Sequence, residues 1–292
     1  MNSVVYQWTC KLIFFKPVRA ILVFSLLMMF CSSFGQEKTE FLYEVTVKKG
    51  TNSFSTKFTL LFSDDEVAFI SENVMKTDSM RKTGENATMS DPLNLTTLYS
   101  KKGKNSTTYF PLERNCYKIV SNEIPIWEIL PDIKKVKNYT VQKAVTTFGG
   151  RKWTAWFTNE IPIMEGPYKF RGLPGLIVEI EDEKKHFVFS LTEVKDKKNK
   201  ILNLEAYIDK NQVKKPILIS QQKYNELLLQ TYTNPYAEFF NAPEGSWRMV
   251  NQDGRTIETR KDLMGMEKDA QRNIRESYNP IELDKAVKYP VK

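Results

Sequence analysis

Apolar and polar residues alternate over much of the chain. Phe41, Tyr43, Val45 and Val47 interleave with Leu42, Glu44 and Thr46. Phe54, Thr56, Phe58, Leu60 and Phe62 repeat the pattern against Ser55, Lys57 and Thr59. A period of two is the signature of a strand with one buried face. Glu66–Ser71 and short runs near 94–101, 106–112 and 115–121 continue it, joined by turn-like Lys49-Gly50-Thr51-Asn52, Ser63-Asp64-Asp65 and Lys102-Gly103-Lys104. Residues 73–93 are polar and read as a loop ending at Asp91-Pro92. Pro125 confines 124–129 to an extended or edge segment, because it has no amide to give a ladder.

Tyr139–Phe148 and Arg151–Thr158 form a hairpin about Gly149-Gly150. On its return strand Trp153, Ala155 and Phe157 share one face, and Lys152, Thr154, Trp156 and Thr158 the other. A Trp on each face means that Trp156 needs cover from a helix, a loop, a partner or a ligand. Gly175–Asp182 and Lys185–Val194 pair next, with Leu176, Val178 and Ile180 beside Phe187, Phe189 and Leu191; Ile201–Ile208 reads as one more strand. After Lys215 the period changes. Ser220 can cap a helix carrying Tyr224, Leu227, Leu228 and Tyr232, and a second carries Leu263, Met266, Ala270, Ile274 and Tyr278. The spacing places these helices at about 218–233 and 262–278. The fold class is α+β: a large curved, mostly antiparallel sheet, meandering and half-barrel-like, with C-terminal helices packed on it.

The N-terminus changes the picture of where this fold works. Lys11, Lys16 and Arg19 precede an apolar run from Ala20 to Phe34, with small residues before a cut after Gly35. This is a signal-peptide pattern, and the run is short for a membrane span. An uncleaved anchor is the alternative; Phe30 before Cys31 departs from a lipobox. Residues 1–35 are thus a leader and 36–292 a single β-rich domain. The whole chain carries a net charge of +8, and its leader holds three basic and no acidic residues. The lysines are scattered, the run Lys195–Lys200 reads as a solvated turn, and no nucleic-acid motif is present. Cys116 is the one cysteine outside the leader, which fits a buried small hydrophobe.

Residues 159–175 separate two strands yet carry Ile161, Ile163, Met164, Tyr168, Phe170 and Leu173. A long connection this apolar should fold back on its sheet, over Trp156 or Trp153. Gly166-Pro167 makes one corner; Leu173-Pro174-Gly175-Leu176 fits a type II turn, with Gly at the position of positive φ. Gly172 and Gly175 would serve backbone shape, Tyr168 and Phe170 packing.

The run Lys143–Asp182 resembles the GLPGLI family of exported Bacteroidota proteins, named for Gly172-Leu173-Pro174-Gly175-Leu176-Ile177. Asn279-Pro280-Ile281-Glu282-Leu283 matches a short element common near the end of its members. One departure is Val141, where many members have Cys. The resemblance implies an envelope location and a β-rich domain, with a hint of partnership with outer-membrane import systems. It implies no reaction.

The chemistry is sparse. His186 is the sole histidine, which excludes multi-histidine metal sites. There is no nucleophile elbow, phosphate loop or dinucleotide fingerprint, and no cofactor is expected. Asp78-Ser79-Met80 resembles an O-glycosylation pattern, on three residues. Glu160, Glu165, Glu179, Glu181 and Asp182 cluster around the loop, and two carboxylates suffice for glycoside hydrolysis. Three readings follow: a non-enzymatic binding or carrier module for an apolar small molecule or lipid; an accessory envelope protein acting through an outer-membrane partner; and a carboxylate-based hydrolase. The first is preferred. Its binding or motif residues are Trp153, Trp156, Gly166, Pro167, Tyr168, Phe170 and Gly172–Ile177, and the protein would sit in the periplasm or at the outer membrane, or be secreted.

Overall fold

The computed structural model describes residues 39–85, 91–196, 201–212, 214–250 and 254–290; the leader and residues 197–200 of the basic run lie outside them. Its centre is a twelve-stranded sheet. β1 (Thr39–Lys49), β2 (Asn52–Phe62), β3 (Glu66–Ser71), β4 (Thr97–Ser100), β5 (Ser106–Leu112) and β6 (Asn115–Ser121) form one meander. β7 (Glu128–Val136), β8 (Tyr139–Phe148), β9 (Arg151–Thr158), β10 (Leu176–Asp182) and β11 (Phe187–Asp196) form a second. The two join where β1 pairs with β11, giving the order β12-β6-β5-β4-β3-β2-β1-β11-β10-β9-β8-β7. Every pairing is antiparallel except that of the two-residue β12 (Ile217–Leu218) with β6, and the sheet does not close.

The register follows from the alternation. Phe41 faces Leu60, Tyr43 faces Phe58 and Val47 faces Phe54 across β1 and β2. The sheet curls toward this face. Phe69 on β3 and Phe189 on β11 lie three strands apart, about 14 Å in a flat sheet, yet their ring centroids are 6.2 Å apart. Convergent aromatics stabilise the curl through burial and edge-to-face contact. The Gly149-Gly150 hairpin has φ of +60° and +71°, the pair of positive values a two-residue turn of this hand requires.

Two sequence expectations are corrected. The polar stretch after β3 is not all loop: α1 (Glu72–Lys82) starts at once, capped by Ser71 Oγ accepting from Asn73 N at 3.3 Å. The strand expected over 201–208 is a helix, α2 (Leu204–Lys210), in which Asn203 Oδ1 accepts from Ala206 N at 2.7 Å. Both cover the second face of β2–β6, where Leu61, Ala68, Ile70, Val74, Leu98, Tyr109, Cys116, Leu204 and Ile208 form a separate core. That part of the meander is therefore buried on both sides. Asp78, read as a loop residue, is buried between Lys82 (2.7 Å) and Lys210 (2.9 Å) and ties the two helices together. Ser79 of the Asp78-Ser79-Met80 pattern sits on the exposed side of α1.

The C-terminal helices fall where their spacing places them: α3 (Gln221–Thr233), a short α4 (Ala237–Asn241) and α5 (Arg260–Ser277). A small hairpin of β13 (Met249–Val250) and β14 (Thr256–Ile257) separates the last two. Among the described residues no helix is long and apolar enough to cross a membrane.

Candidate functional site

The connection from β9 to β10 folds back as its apolar residues require. Gly172 N donates to Met164 O (2.9 Å), Leu176 N to Ile161 O (3.1 Å) and Ile177 N to Glu165 O (3.1 Å). Thr97 Oγ1 on β4 donates to Tyr168 O, and Trp127 Nε1 to Arg171 O. Phe170 is fully buried and its ring meets Trp153 at 4.6 Å between centroids, with Phe148, Phe189 and Trp127 around it. Trp153, not Trp156, is thus the tryptophan beneath the loop. Trp156 lies on the other face, half-buried, with Lys134 Nζ 4.2 Å above its ring.

The type II turn is also corrected. Gly175 N bonds Leu173 O at 2.8 Å, a three-residue turn centred on Pro174. Gly175 is needed for a different reason: a Cβ there would lie 2.1 Å from Thr158 O on β9. Gly166 is similar, with Phe170 O 2.6 Å from its would-be Cβ. Gly172 is the position with open space and a φ of +96°. The positive φ that matters most belongs to a bulky residue: Tyr168 has φ +56°, in a turn closed by Phe170 N to Pro167 O. That conformation costs about 1–2 kcal/mol for a side chain, so something must hold it.

The hold comes from the C-terminus. Tyr168 Oη donates to Glu282, Lys169 Nζ lies 2.5 Å from the same oxygen, and Lys285 Nζ pairs with the other. Lys285 also pairs with Glu123, so the charges alternate Lys169–Glu282–Lys285–Glu123 along one wall. Lys169 and Glu282 are both buried. Burial opposes both charges and leaves the Lys169 ammonium below its usual range. For Glu282 the lysines outweigh burial and hold the carboxyl below the usual carboxylate range.

Arg151, directly after the Gly-Gly turn, fixes the approach of this segment. Its Nε donates to Ile281 O, its Nη2 to Pro280 O and Asn279 Oδ1, and its Nη1 to the buried Asp182. Leu283 N closes the joint on Gly149 O at 2.6 Å. A Cβ on Gly149 would sit 2.9 Å from Glu282 Cγ, and one on Gly150 2.9 Å from Asp284 N. The two glycines therefore serve both the hairpin and the close approach of 282–284.

Beside this joint lies a cavity of about 610 Å³ between the sheet and α3, α5 and the C-terminal segment. Leu93, Phe110, Ile119, Leu228 and Ile274 supply apolar walls; Tyr168, Lys169, Glu282 and Lys285 supply the polar one. Of the twelve motif residues expected at the site, Tyr168 lines this cavity. The others build the layer behind it: Phe170, Leu173, Leu176, Ile177 and Trp153 in the core, Gly166, Pro167, Gly172, Pro174 and Gly175 shaping the loop, and Trp156 on the outer face. Sequence reasoning assigned no role to Arg151, Lys169, Glu282 or Lys285. Asn279–Leu283 was the available signal, because a short motif far from the loop implies a partner for it.

The five carboxylates around the loop go to separate partners. Glu160 accepts from Thr140 N, Glu165 from Tyr99 Oη, Glu179 from Lys134, Glu181 pairs with Lys185, and Asp182 accepts from Arg151 and Phe187 N. Burial pushes the Glu165 carboxyl up. His186 Nδ1 lies 3.2 Å from Arg151 Nη1 at the edge of the C-terminal joint. Among the described residues no group of three acidic, His or Cys side chains could hold a metal ion.

A family model described as a protein of unknown function (Porph_ging) matches residues 149–179. The match begins at the Gly149 turn and ends inside β10, so it spans Arg151, Tyr168 and Lys169. No curated protein matches. Among solved structures, PNGF-II aligns with 65% of this chain and 32% of its own, at 16% identity and a TM-score of 0.47. A DUF1329 family protein from Desulfovibrio piger aligns with 65% of this chain and 99% of its own, at 10% identity and a TM-score of 0.28. A LolA superfamily protein from Nitrosomonas europaea aligns over 57% and 89%, at 9% identity and a TM-score of 0.24. The aligned part thus spans about a third of the PNGF-II chain. Likenesses this distant say nothing of activity.

Proposed function

We propose that this protein is a non-enzymatic binding or carrier module of the cell envelope, which holds a small apolar molecule or lipid between its sheet and its C-terminal helices. The observation that carries the reading is the cavity. The long loop packs on the sheet's aromatic face, with Phe170 fully buried, and about 610 Å³ remains beside it. That volume lies in the range of small-molecule sites, roughly 300–1,000 Å³. Its walls come from β5, β6, α3, α5 and the C-terminal segment, and the Arg151 joint holds the last of these against the sheet. The leader pattern in residues 1–35 supports export to the periplasm or outer membrane.

Native mass spectrometry of the protein purified from its own envelope, with lipid extraction of the same sample, tests this. A stoichiometric apolar adduct, lost in a Leu228→Trp variant that melts like wild type, is the expected result. A clean apo mass, with no uptake when lipid extract is added back, overturns it.

A second reading, an accessory protein with an outer-membrane partner, has its own observation. β7 is an edge of the sheet; Ile129 and Ile133 along it are 46% and 66% exposed, and Ile126 just before it 88%. Pro131 and the register shift between Ile129 and Ile133 blunt this edge against non-specific pairing. Crosslinking in intact cells from a photoreactive residue at 133 tests it; a discrete protein adduct is expected, and monomer alone counts against it.

A further inference from the structure

The charges on the cavity wall carry the reading one step further, and the step rests on the binding function proposed above. Three ammonium groups, Lys49, Lys169 and Lys285, face the space against two carboxylates, Glu123 and Glu282. Lys169, Lys285 and both carboxylates neutralise one another in the alternating chain. Lys49 is left over. Its Nζ has a 3.5 Å hydrogen bond to Pro92 O and lies 5.3 Å over the Phe54 ring. Among the described residues it enters no ion pair. Burial lowers its ammonium from the usual range, with Asp91 opposing from a distance.

Helix ends add both signs. The last turn of α5 lies on the rim, and a Cβ on neighbouring Gly50 would come within 3.4 Å of Glu276 O. The α3 N-terminus, Ser220-Gln221, faces the same cavity with no acidic residue in its first turn, and contributes the opposite sign. The side chains of the wall leave one ammonium in excess. A fourth group points to a polar ligand atom. Thr108 Oγ1, on the cavity wall, is buried and makes no hydrogen bond. It does interact with the Tyr168 hydroxyl. A buried hydroxyl left in this state is rare in a folded protein.

We propose that the cavity takes a single-chain amphipath with an anionic head, its chain along Phe110, Leu228 and Ile274 and its head within reach of Lys49. The shared chemistry is a carboxylate or a phosphate monoester on a hydrocarbon chain. The apolar wall gives affinity, and the ammonium that enters no ion pair gives the choice of head.

Titration calorimetry of the mature protein with matched twelve-carbon probes, below micelle formation, tests this. The probes are dodecanoate, dodecyl phosphate, dodecanol and dodecyltrimethylammonium, with inorganic phosphate alone as the chain-free control. One-to-one binding of an anionic probe, about tenfold or more tighter than dodecanol, is the expected result. The stronger of the two anions identifies the head. Lys49→Gln should bring that anion to the affinity of dodecanol and leave dodecanol within about twofold of wild type. Equal binding of dodecanol and the anions would overturn the head-group inference and leave the carrier reading standing. Preference for the quaternary ammonium would show the wrong sign of field. Inorganic phosphate binding as tightly as dodecyl phosphate would remove the apolar wall from the account. Loss of dodecanol together with the anions in Lys49→Gln would make Lys49 a wall residue only. Binding of none of the probes would overturn the inference and the carrier reading together.

Discussion

Replacing Gly175 by alanine would place a methyl carbon 2.1 Å from Thr158 O, 2.7 Å from Thr158 C and 3.1 Å from Asn159 N. The obstacles are backbone atoms. Thr158 is fully buried and pairs with Leu176, so it cannot retreat without loosening the β9–β10 register. Overpacking against side chains that can shift costs about 1–3 kcal/mol; against a paired backbone we expect about 3 kcal/mol or more. In a domain of this size each kcal/mol lowers Tm by roughly 2–4 °C, so Gly175→Ala should melt about 6–12 °C below wild type. Gly172→Ala is the control. Nothing lies within 4 Å of its would-be Cβ, and only the φ of +96° is against it, worth about 1–2 kcal/mol. Thermal melts followed by circular dichroism decide. If Gly175→Ala melts within about 2 °C of wild type, or no lower than Gly172→Ala, the close-contact argument is wrong.

The C-terminal joint gives three further tests. Arg151→Lys keeps the charge but loses the planar fork, leaving Ile281 O, Pro280 O and Asn279 Oδ1 short of donors. We expect a loss of about 2–4 kcal/mol and faster amide exchange at Leu283 and Val287; unchanged protection there would refute the role of the fork. Glu282 has its folded-state pKa held below the unfolded value by Lys169 and Lys285, against burial. Its contribution is therefore complete above the unfolded value, about pH 4.3, and disappears as pH falls through the lower folded value. The urea midpoint of wild type should fall in acid more than that of Glu282→Gln, and parallel falls would remove Glu282 from the account. Burial pushes the Cys116 thiol up to about 12, so a thiol reagent at neutral pH should label the native protein only as fast as it unfolds; prompt stoichiometric labelling would contradict the packed second core.

Strand alternation was legible because one-sided burial imposes it. Tyr43, Val45 and Val47 fall inward with nothing more than the period of two. The same rule misread the places where a second layer exists. Leu202, ahead of α2, and Leu204, Ala206 and Ile208 within it alternate as in a strand, but only Leu204 and Ile208, one helical turn apart, are buried, and the Asn203 cap decides the matter. α1 carries almost no apolar stripe: its buried positions are Val74, Thr77 and Asp78, and the last is held by Lys82 and Lys210 rather than by hydrophobic contact. The candidate site was illegible for a related reason. Its defining contacts join residues far apart in the chain, Lys169 to Glu282 across 113 positions and Arg151 to Asn279 across 128. No local period encodes such pairs, and each charge alone reads as a solvated surface residue. What the chain did reveal was the backbone consequence: glycines where another segment must approach closely, at 149, 150, 166 and 175. A glycine can thus record the close approach of another segment even where a turn also asks for it, as at Gly149 and Gly150. In this fold the segment approaching Gly149 and Gly150 is the C-terminal wall of the cavity. Mutations in the turn should therefore register at residues 282–285, and through them on whatever the cavity holds.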